Sequence, residues 1–523
     1  MINRDSVVKN SFWFGLETVV DAAVSLALSV AVARVIGPVR LGYYIYMMFM
    51  VNLAGRLAAF GPGAAARKYL SEYLARDDRG MARLVFFTML RWNVQLACGF
   101  AAVGWVLIFA LEDSANRLVA SILVASLIGG VVNIVASQTN MAAENFARNV
   151  PASFVALAIY ASTVILTLVF DLGPVGLAVA LLLRRTVEMF LRLQPAIRWA
   201  RQLPRIPAPP DLARRMMTFS GQGLAIAMLV IVVWDRSELV FLRHFCRIQE
   251  VTFYSVAFSL TETLLLLPTA IGAAVSARFM AEHGRTQAIG DLASSPIRFM
   301  ALLIFPMYVG LACLSEPAVR MFYGASYVPA IPVMAISLVL LIPKAFYWFP
   351  SAALQAADRQ GLMFRWLLAV AALNLSLDAL LIPRYGAIGA AVANGIAQPT
   401  AVIVLSLAAS RVCKVKLPWS ALGATLCTAG AMGGAVYLAV RQLPPPAAMV
   451  AGPLLGVAVY LVLLRVTNAC RPDDLIFLRQ FERRIPPRLW RVCMSFLEWL
   501  AGGSGIPPGV GKLVPSEAEA RNV

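Results

Sequence analysis

Ionisable side chains set inside otherwise apolar runs are the residues of this chain that could do chemistry. Glu17 and Asp21 lie one helical turn apart in the first run, and Arg34 follows toward its outer end. Arg56 falls inside the second run, Arg91 inside the third and Arg185 in the inner half of the sixth. Further on, Asp235 and Arg236 stand toward the outer end of the seventh run, and Glu262 in the middle of the eighth. Lys344 lies near the middle of the tenth and Asp378 in the eleventh. On insertion scales such a residue costs at least ~2.5–3.5 kcal/mol, so each needs a polar cavity or a partner. Cations in a cavity would meet an anionic solute, and arginine's planar fork bonds phosphate oxygens in pairs. Arg34, Arg56, Arg91, Arg185, Arg236 and Lys344 are therefore the candidate substrate-binding residues. Glu17, Asp21, Asp235, Glu262 and Asp378 would bind a coupling cation or proton, or hold the arginines in place. The competing explanation is internal pairing and snorkelling, with even weight for Arg34 and Arg236 near span ends. Arg184, Glu188 and Arg192 form an i, i+4 ladder whose mutual pairing is a sufficient explanation.

Other chemistries find little support. The seven cysteines show no CxxC or metal spacing, and only His244 and His283 could join a zinc site. No GxxxxGK[ST] phosphate loop is present, so direct use of ATP is not expected. No catalytic residue, metal or cofactor is assigned beyond a coupling cation or proton of unknown identity.

The elements that position these residues are membrane helices. Hydrophobic residues make up 60% of the 523 and charged residues 14%, with a mean hydropathy of +0.76. Apolar stretches near the ~20 residues needed to cross the hydrocarbon recur along most of the chain. The alternation of a membrane barrel is absent, so the spans are helices. Segmentation places six at 11–36, 41–66, 84–111, 118–140, 152–170 and 174–193. Six more follow at 216–240, 251–277, 297–320, 329–355, 362–382 and 386–409, and a final pair at 417–440 and 444–466. The N-terminal run carries Glu17 and Asp21 and is too long for a signal peptide, so it reads as an uncleaved first span.

Net charge is +18, distributed in loops and a tail without a basic stripe interleaved with exposed aromatics, so nucleic acid is not an expected partner. Arginine and lysine concentrate in alternate loops, and the positive-inside rule then places both termini in the cytoplasm. The Pro-rich basic stretch from Gln202 to Asp211 serves as a linker between halves. After Arg465 a basic, aromatic-rich tail reads as an amphipathic helix facing anionic lipid or as a solvated tail, and its last stretch as disordered.

The chain also contains itself twice. Lys68-Tyr69-Leu70-Ser71-Glu72 is echoed by Arg278-Phe279-Met280-Ala281-Glu282, and Gly42-Tyr43-Tyr44 falls against Thr252-Phe253-Tyr254. Ala142-Ala143-Glu144 returns as Ala356-Ala357-Asp358, and Gly173-Pro174-Val175-Gly176 as Gly386-Ala387-Ile388-Gly389. Four matches in the same order at matching spacing indicate duplication. An even number of helices per copy makes the repeats parallel, related by an axis along the membrane normal. The expected fold is thus an all-α integral membrane protein of about fourteen transmembrane helices, two parallel six-helix repeats plus a C-terminal pair. Its expected parts are a first lobe at 1–200, a cytoplasmic linker at 201–215, a second lobe at 216–410, the helix pair at 411–466 and a basic tail at 467–523.

Two further stretches carry a family likeness. Ala33-Arg34-Val35-Ile36-Gly37-Pro38 followed by Leu41-Gly42-Tyr43-Tyr44 is similar to the opening of polysaccharide exporters of the multidrug/oligosaccharidyl-lipid/polysaccharide flippase superfamily. The run from Asn374-Leu375-Ser376-Leu377-Asp378 through Gly389-Ala390-Ala391 resembles the same family, with Asp378 where an amide would be expected and Thr252 where the repeat favours glycine. The resemblance covers roughly residues 5 to 440. It implies a monomeric, non-enzymatic flippase of the bacterial cytoplasmic (inner) membrane. Such a protein moves polyprenyl-pyrophosphate-linked oligosaccharide between leaflets by alternating access for cell-surface polysaccharide, lipopolysaccharide or exopolysaccharide. Its implied partners are that substrate, membrane lipids and polysaccharide polymerase or assembly proteins. A cation-coupled multidrug-type antiporter is the alternative, and a membrane glycan polymerase or ligase a more distant one.

Overall fold

A computed structural model describes residues 4–142, 149–207, 209–272, 275–276, 279, 293–415, 417–467 and 494–495. Nearly all of the 467–523 tail lies outside the described residues. So do most of the 278–282 echo, Ala143-Glu144 and His283. Within the described residues the chain is helical, with no strand. In a medium without water, a helix pairs its own backbone donors and acceptors, which is why these apolar runs take that form.

The first half runs as α1 (Arg4–Ile36), α2 (Pro38–Ala75), α3 (Arg79–Leu111), α4 (Ser114–Ala142), α5 (Asn149–Val169) and α6 (Gly173–Gln202). Then come α7 (Pro210–Trp234), the short α8 (Glu238–Phe245), α9 (Ile248–Leu264) and α10 (Ser294–Cys313). The rest comprises α11 (Ala330–Leu340), α12 (Trp348–Ala356), α13 (Gln360–Cys413), α14 (Trp419–Val440) and α15 (Pro445–Thr467).

Among the described residues, ten helical segments are long and apolar enough to cross a membrane, so the chain is a multi-pass membrane protein. One of them, α13, is 54 residues long, roughly 80 Å at 1.5 Å per residue and more than twice the hydrocarbon thickness. It is two helices joined at Gly386, whose φ of 55° breaks the helical geometry between the expected spans 362–382 and 386–409. Three further helices, α2, α6 and α7, contain 38, 30 and 25 residues and are also long enough to span.

The duplicated Gly-x-x-Gly motif has the same geometry in both copies. Gly173 and Gly386 both adopt positive φ, 59° and 55°, where a side chain would be strained. Three residues later, Gly176 and Gly389 each lie against the helix that precedes the turn, Gly176 on Thr167 and Gly389 on Leu381. The mismatch of Gly42 with Thr252 has a packing reason, because the two positions touch. A methyl on Gly42 would come within 2.9 Å of Thr252 Oγ1, and that hydroxyl donates to the Pro38 carbonyl at 2.6 Å. One member of the pair must be small, and the other fills the space.

Packing divides the chain into two compact units. Unit 1 comprises Met1–Ser259, Phe322–Val333 and Leu367–Ala397; unit 2 comprises Leu260–Met321, Met334–Trp366 and Gln398–Val523. In unit 1, α4 packs on α2 and α6, α5 lies on α6, and α2 also meets α7. In unit 2, α10 packs on α14, and α14 on α15. The core at one end of unit 1 gathers Tyr69, Leu70, Phe86, Met89, Ala200 and Met216 from α2, α3, α6 and α7.

Candidate functional site

The acids of α1 are taken up by α5 and α6. Arg192, whose side chain is 8% exposed, pairs with Glu188 at 2.8 Å and with Glu17 at 3.5 Å. It also donates to Ser153 Oγ and, at 3.4 Å, to the Asn149 carbonyl, while Ser153 in turn donates to Glu17. Arg184 pairs with Asp21, its guanidinium 5.3 Å from the Tyr160 ring centre. The expected ladder is therefore only half formed. Glu188 goes to Arg192, and Arg184 reaches across to Asp21 on α1. Two acids proposed for the site, Glu17 and Asp21, thus sit in ion pairs with arginines of α6.

Arg185, the neighbour of Arg184, points to the other side of α6. It donates from Nη1 to Ser126 Oγ at 3.1 Å on α4 and from Nη2 to Asn52 Oδ1 at 2.5 Å on α2. Its side chain passes over Gly130, where a Cβ would lie 3.4 Å from it. Its hydrogen-bond partners are neutral, so the guanidinium is fixed in place without direct neutralisation.

Arg56 pairs with Asp235, and the two side chains remain 49% and 28% exposed. The expected seventh span, 216–240, is interrupted here: α7 stops at Trp234, and Asp235 and Arg236 lie in the turn before α8. The carbonyl of Val232, near the helix end, accepts from Ser237 Oγ at 3.1 Å and Asn374 Nδ2 at 3.0 Å. These side chains satisfy an acceptor that the ending helix leaves free. Arg236 lies 5.2 Å from the centre of the Phe258 ring. Arg34 and Arg91 are exposed, and among the described residues neither has an ion-pair partner.

The same turn builds a second cluster, in which two acids collect without an ion pair among the described residues. Glu238, the first residue of α8, and Asp378 on α13 are both fully buried and close enough to repel one another. Tyr254 on α9, also fully buried, donates to Glu238 Oε2 at 3.2 Å and accepts from Asn394 Nδ2 at 2.6 Å. Among the described residues both oxygens of Asp378 and the Oδ1 atoms of Asn374 and Asn394 are buried without a hydrogen-bond partner, and Glu238 Oε1 is at best weakly satisfied by its own backbone and Asn374. Buried acceptors are expensive to leave unpaired, and carboxylates more so. Their convergence suits a small positive ligand, whether a proton shared between the acids or a monovalent ion held by acid and amide oxygens.

Of the residues proposed from sequence, Asp378 alone enters this cluster. Glu238, Tyr254, Asn374 and Asn394 were not singled out. Glu238 stands two residues from the expected end of a span, where an acid looks unremarkable, and the amides carry no charge to notice.

In unit 2, Pro343 starts a short 3₁₀ segment, Ile342–Phe346, between α11 and α12. That break carries Lys344, which is 7% exposed and pairs with Glu262 at 2.5 Å. Glu262 is 41% exposed, so the pair has one buried and one open end.

The helical architecture and the charges within it define a multi-pass, all-α membrane protein. Residues 31–332 match the model of the polysaccharide biosynthesis protein family, and the chain belongs to that family. It is 23% identical over 186 residues to the probable low-salt glycan biosynthesis flippase Agl15 of Haloferax volcanii. That match covers 35% of this chain and 39% of the relative. It is 25% identical over 242 residues to the probable flippase AglR of the same organism, covering 45% of this chain and 51% of the relative. The matched stretches thus span only about two-fifths to one half of these relatives. Among solved structures, the lipid II flippase MurJ in an inward closed conformation superposes with a TM-score of 0.71 at 15% identity. The superposition covers 90% of this chain and 99% of MurJ. An outward-facing multidrug resistance MATE family transporter gives 0.56 at 16% identity, over 78% of this chain and 97% of the other. At these identities the likeness is one of fold.

Proposed function

We propose that this protein is a flippase for polyprenyl-pyrophosphate-linked oligosaccharide. It moves its substrate from the inner to the outer leaflet of the bacterial cytoplasmic membrane for cell-surface polysaccharide biosynthesis. Fourteen spans carry the movement as two parallel six-helix repeats and a C-terminal pair, both termini being cytoplasmic, and the repeats work by alternating access. Translocation makes and breaks no covalent bond, so the chain acts without enzymatic chemistry. Membership of a polysaccharide biosynthesis family and the names of the two archaeal relatives support the substrate class.

The observation that carries the reading is Arg185. A fixed arginine among membrane helices, held by Asn52 and Ser126 rather than by an acid, retains its charge for an anionic headgroup. Arg56 adds a second, exchangeable contact, because a phosphate can compete with Asp235 for its exposed guanidinium. Lys344, backed by Glu262, is the corresponding cation of unit 2. The acid and amide oxygens around Glu238 and Asp378 take the coupling cation, a proton or a monovalent ion, that gives the cycle its direction.

The test replaces Arg185, Arg56 and Lys344 singly with glutamine and quantifies surface glycan together with protein abundance. Export falls at normal abundance on this reading. Normal export by all three variants would remove them from the pathway. Cation-driven drug efflux by the purified protein, without translocation of sugar-lipid, would instead establish the antiporter.

A further inference from the structure

One end of unit 1 holds a cleft that the transport reading does not use. Its volume is about 680 Å³, and it is lined by Arg83, Leu84 and Phe87 of α3, Arg201 of α6, and Arg205 and Ile206 of the chain leaving α6. Three of these side chains are arginines and none is a carboxylate. Arg83 is fixed: its Nη1 donates to the carbonyls of Ala200, Arg201 and Leu203 at 3.2, 2.8 and 2.8 Å, and its guanidinium lies 5.3 Å from the Phe87 ring centre. It thereby closes the carbonyl end of α6 and ties the following chain to α3. Ile206 packs over Gly80, in the first turn of α3, and holds that chain from the other side.

Arg201 and Arg205 are exposed, and among the described residues neither is paired with an acid. Nearby basic residues differ. Arg76 pairs with Glu72 and Arg79 with Asp77, each at 2.9 Å. Arg201 and Arg205 thus bring exposed, unpaired charge to the cleft itself, alongside the exposed Arg198, Arg214 and Arg215 at the same end. Beside the arginines lie Leu84, Phe87 and Ile206, so the cleft offers an apolar wall next to a basic rim. That combination matches a molecule with a phosphate at one end and hydrocarbon at the other. The positive-inside rule puts this arginine-rich end at the level of the cytoplasmic headgroups, where anionic lipid is at hand.

We propose that the cleft binds the phosphate of an anionic phospholipid from the inner leaflet. Arg201 and Arg205 bond the phosphodiester oxygens, Arg83 fixes the floor, and the glycerol and upper acyl chain lie along Leu84, Phe87 and Ile206. The site is separate from Arg185 and Asp378, and its occupation does not depend on what the protein transports.

The experiment uses the full chain purified in detergent. It measures retained lipid and lipid-dependent thermal stabilisation with dioleoyl phosphatidylglycerol against dioleoyl phosphatidylcholine. The wild-type protein prefers phosphatidylglycerol, and the double variant R201Q/R205Q weakens that preference by roughly tenfold or more. The double variant R76Q/R79Q, with the same loss of charge outside the cleft, keeps it. Glycerol phosphate, which lacks acyl chains, displaces no lipid at equal concentration. Equal losses in the two double variants would reduce the effect to general surface charge and overturn the site. An unchanged R201Q/R205Q protein would also overturn it, and displacement by glycerol phosphate would assign the cleft to a soluble phosphate instead of a lipid.

Discussion

Two clusters of unit 1 treat buried charge in opposite ways. Around α1, α5 and α6, Arg184 and Arg192 face Glu17, Asp21 and Glu188, and each acid has a cation within reach. Around α8 and α13, Glu238 and Asp378 face each other with Tyr254 and two asparagines; Arg236 lies beside Phe258, which stacks on Tyr254, but among the described residues neither acid is in an ion pair. The first cluster is closed in the sense that every acid is in an ion pair with an arginine, although two arginines serve three acids, and we assign it to the scaffold. The second is open in that neither of its two buried acids is in an ion pair among the described residues.

The largest expected effect breaks the closed cluster. Arg192→Leu removes the buried cation that Glu17 and Glu188 share and leaves both half-buried carboxylates without it, a change approaching the ~3–5 kcal/mol of a broken buried pair, and membrane-inserted protein should fall severely on an immunoblot. Next, Asp378→Asn removes half of the acid pair while preserving shape. The variant should reach normal abundance and fold, but its transport should lose its dependence on an imposed proton or cation gradient. A collapse in abundance like that of the Arg192 variant would place Asp378 with the scaffold and erase the distinction. A smaller change is expected for Arg185→Gln, which removes the charge and leaves a shorter polar side chain in its place. Export of glycan should drop at normal abundance, read by surface-glycan quantification. The smallest effect is expected from Arg320→Gln. It breaks an exposed i, i+4 pair with Glu316, 3.0 Å long, and should shift thermal stability by no more than the ~0.3–0.5 kcal/mol of such pairs.

Much of this comparison can be read from the sequence, and its limits have physical causes. Helical class follows from apolar length alone, and the two glycine turns at Gly173 and Gly386 are visible because a positive φ restricts residue choice. The ionisable positions themselves are also legible, since a charge inside an apolar run is conspicuous. Partner choice is not. Arg184 shares a face of α6 with Glu188, but its partner Asp21 lies 163 residues away on another helix, and only packing brings them together. Glu238 escapes notice for a related reason: the chain breaks after Trp234 and turns the acid inward, while its sequence position suggests the rim of a span. The amides Asn374 and Asn394 lack a charge, although Asn374 belongs to the same motif as Asp378. The one clue available is that motif's own departure, an aspartate where an amide would be expected, and it falls in the open cluster.

Reconstituted transport tests the central claim most directly. The purified full-length protein in proteoliposomes is given a lipid-linked oligosaccharide labelled on its sugar, and exposure of the label on the opposite leaflet is followed with and without an imposed cation or proton gradient. The account predicts gradient-dependent translocation by the wild-type protein and loss of that dependence in Asp378→Asn. Absence of translocation by wild-type protein, or identical gradient dependence in the two proteins, would contradict it.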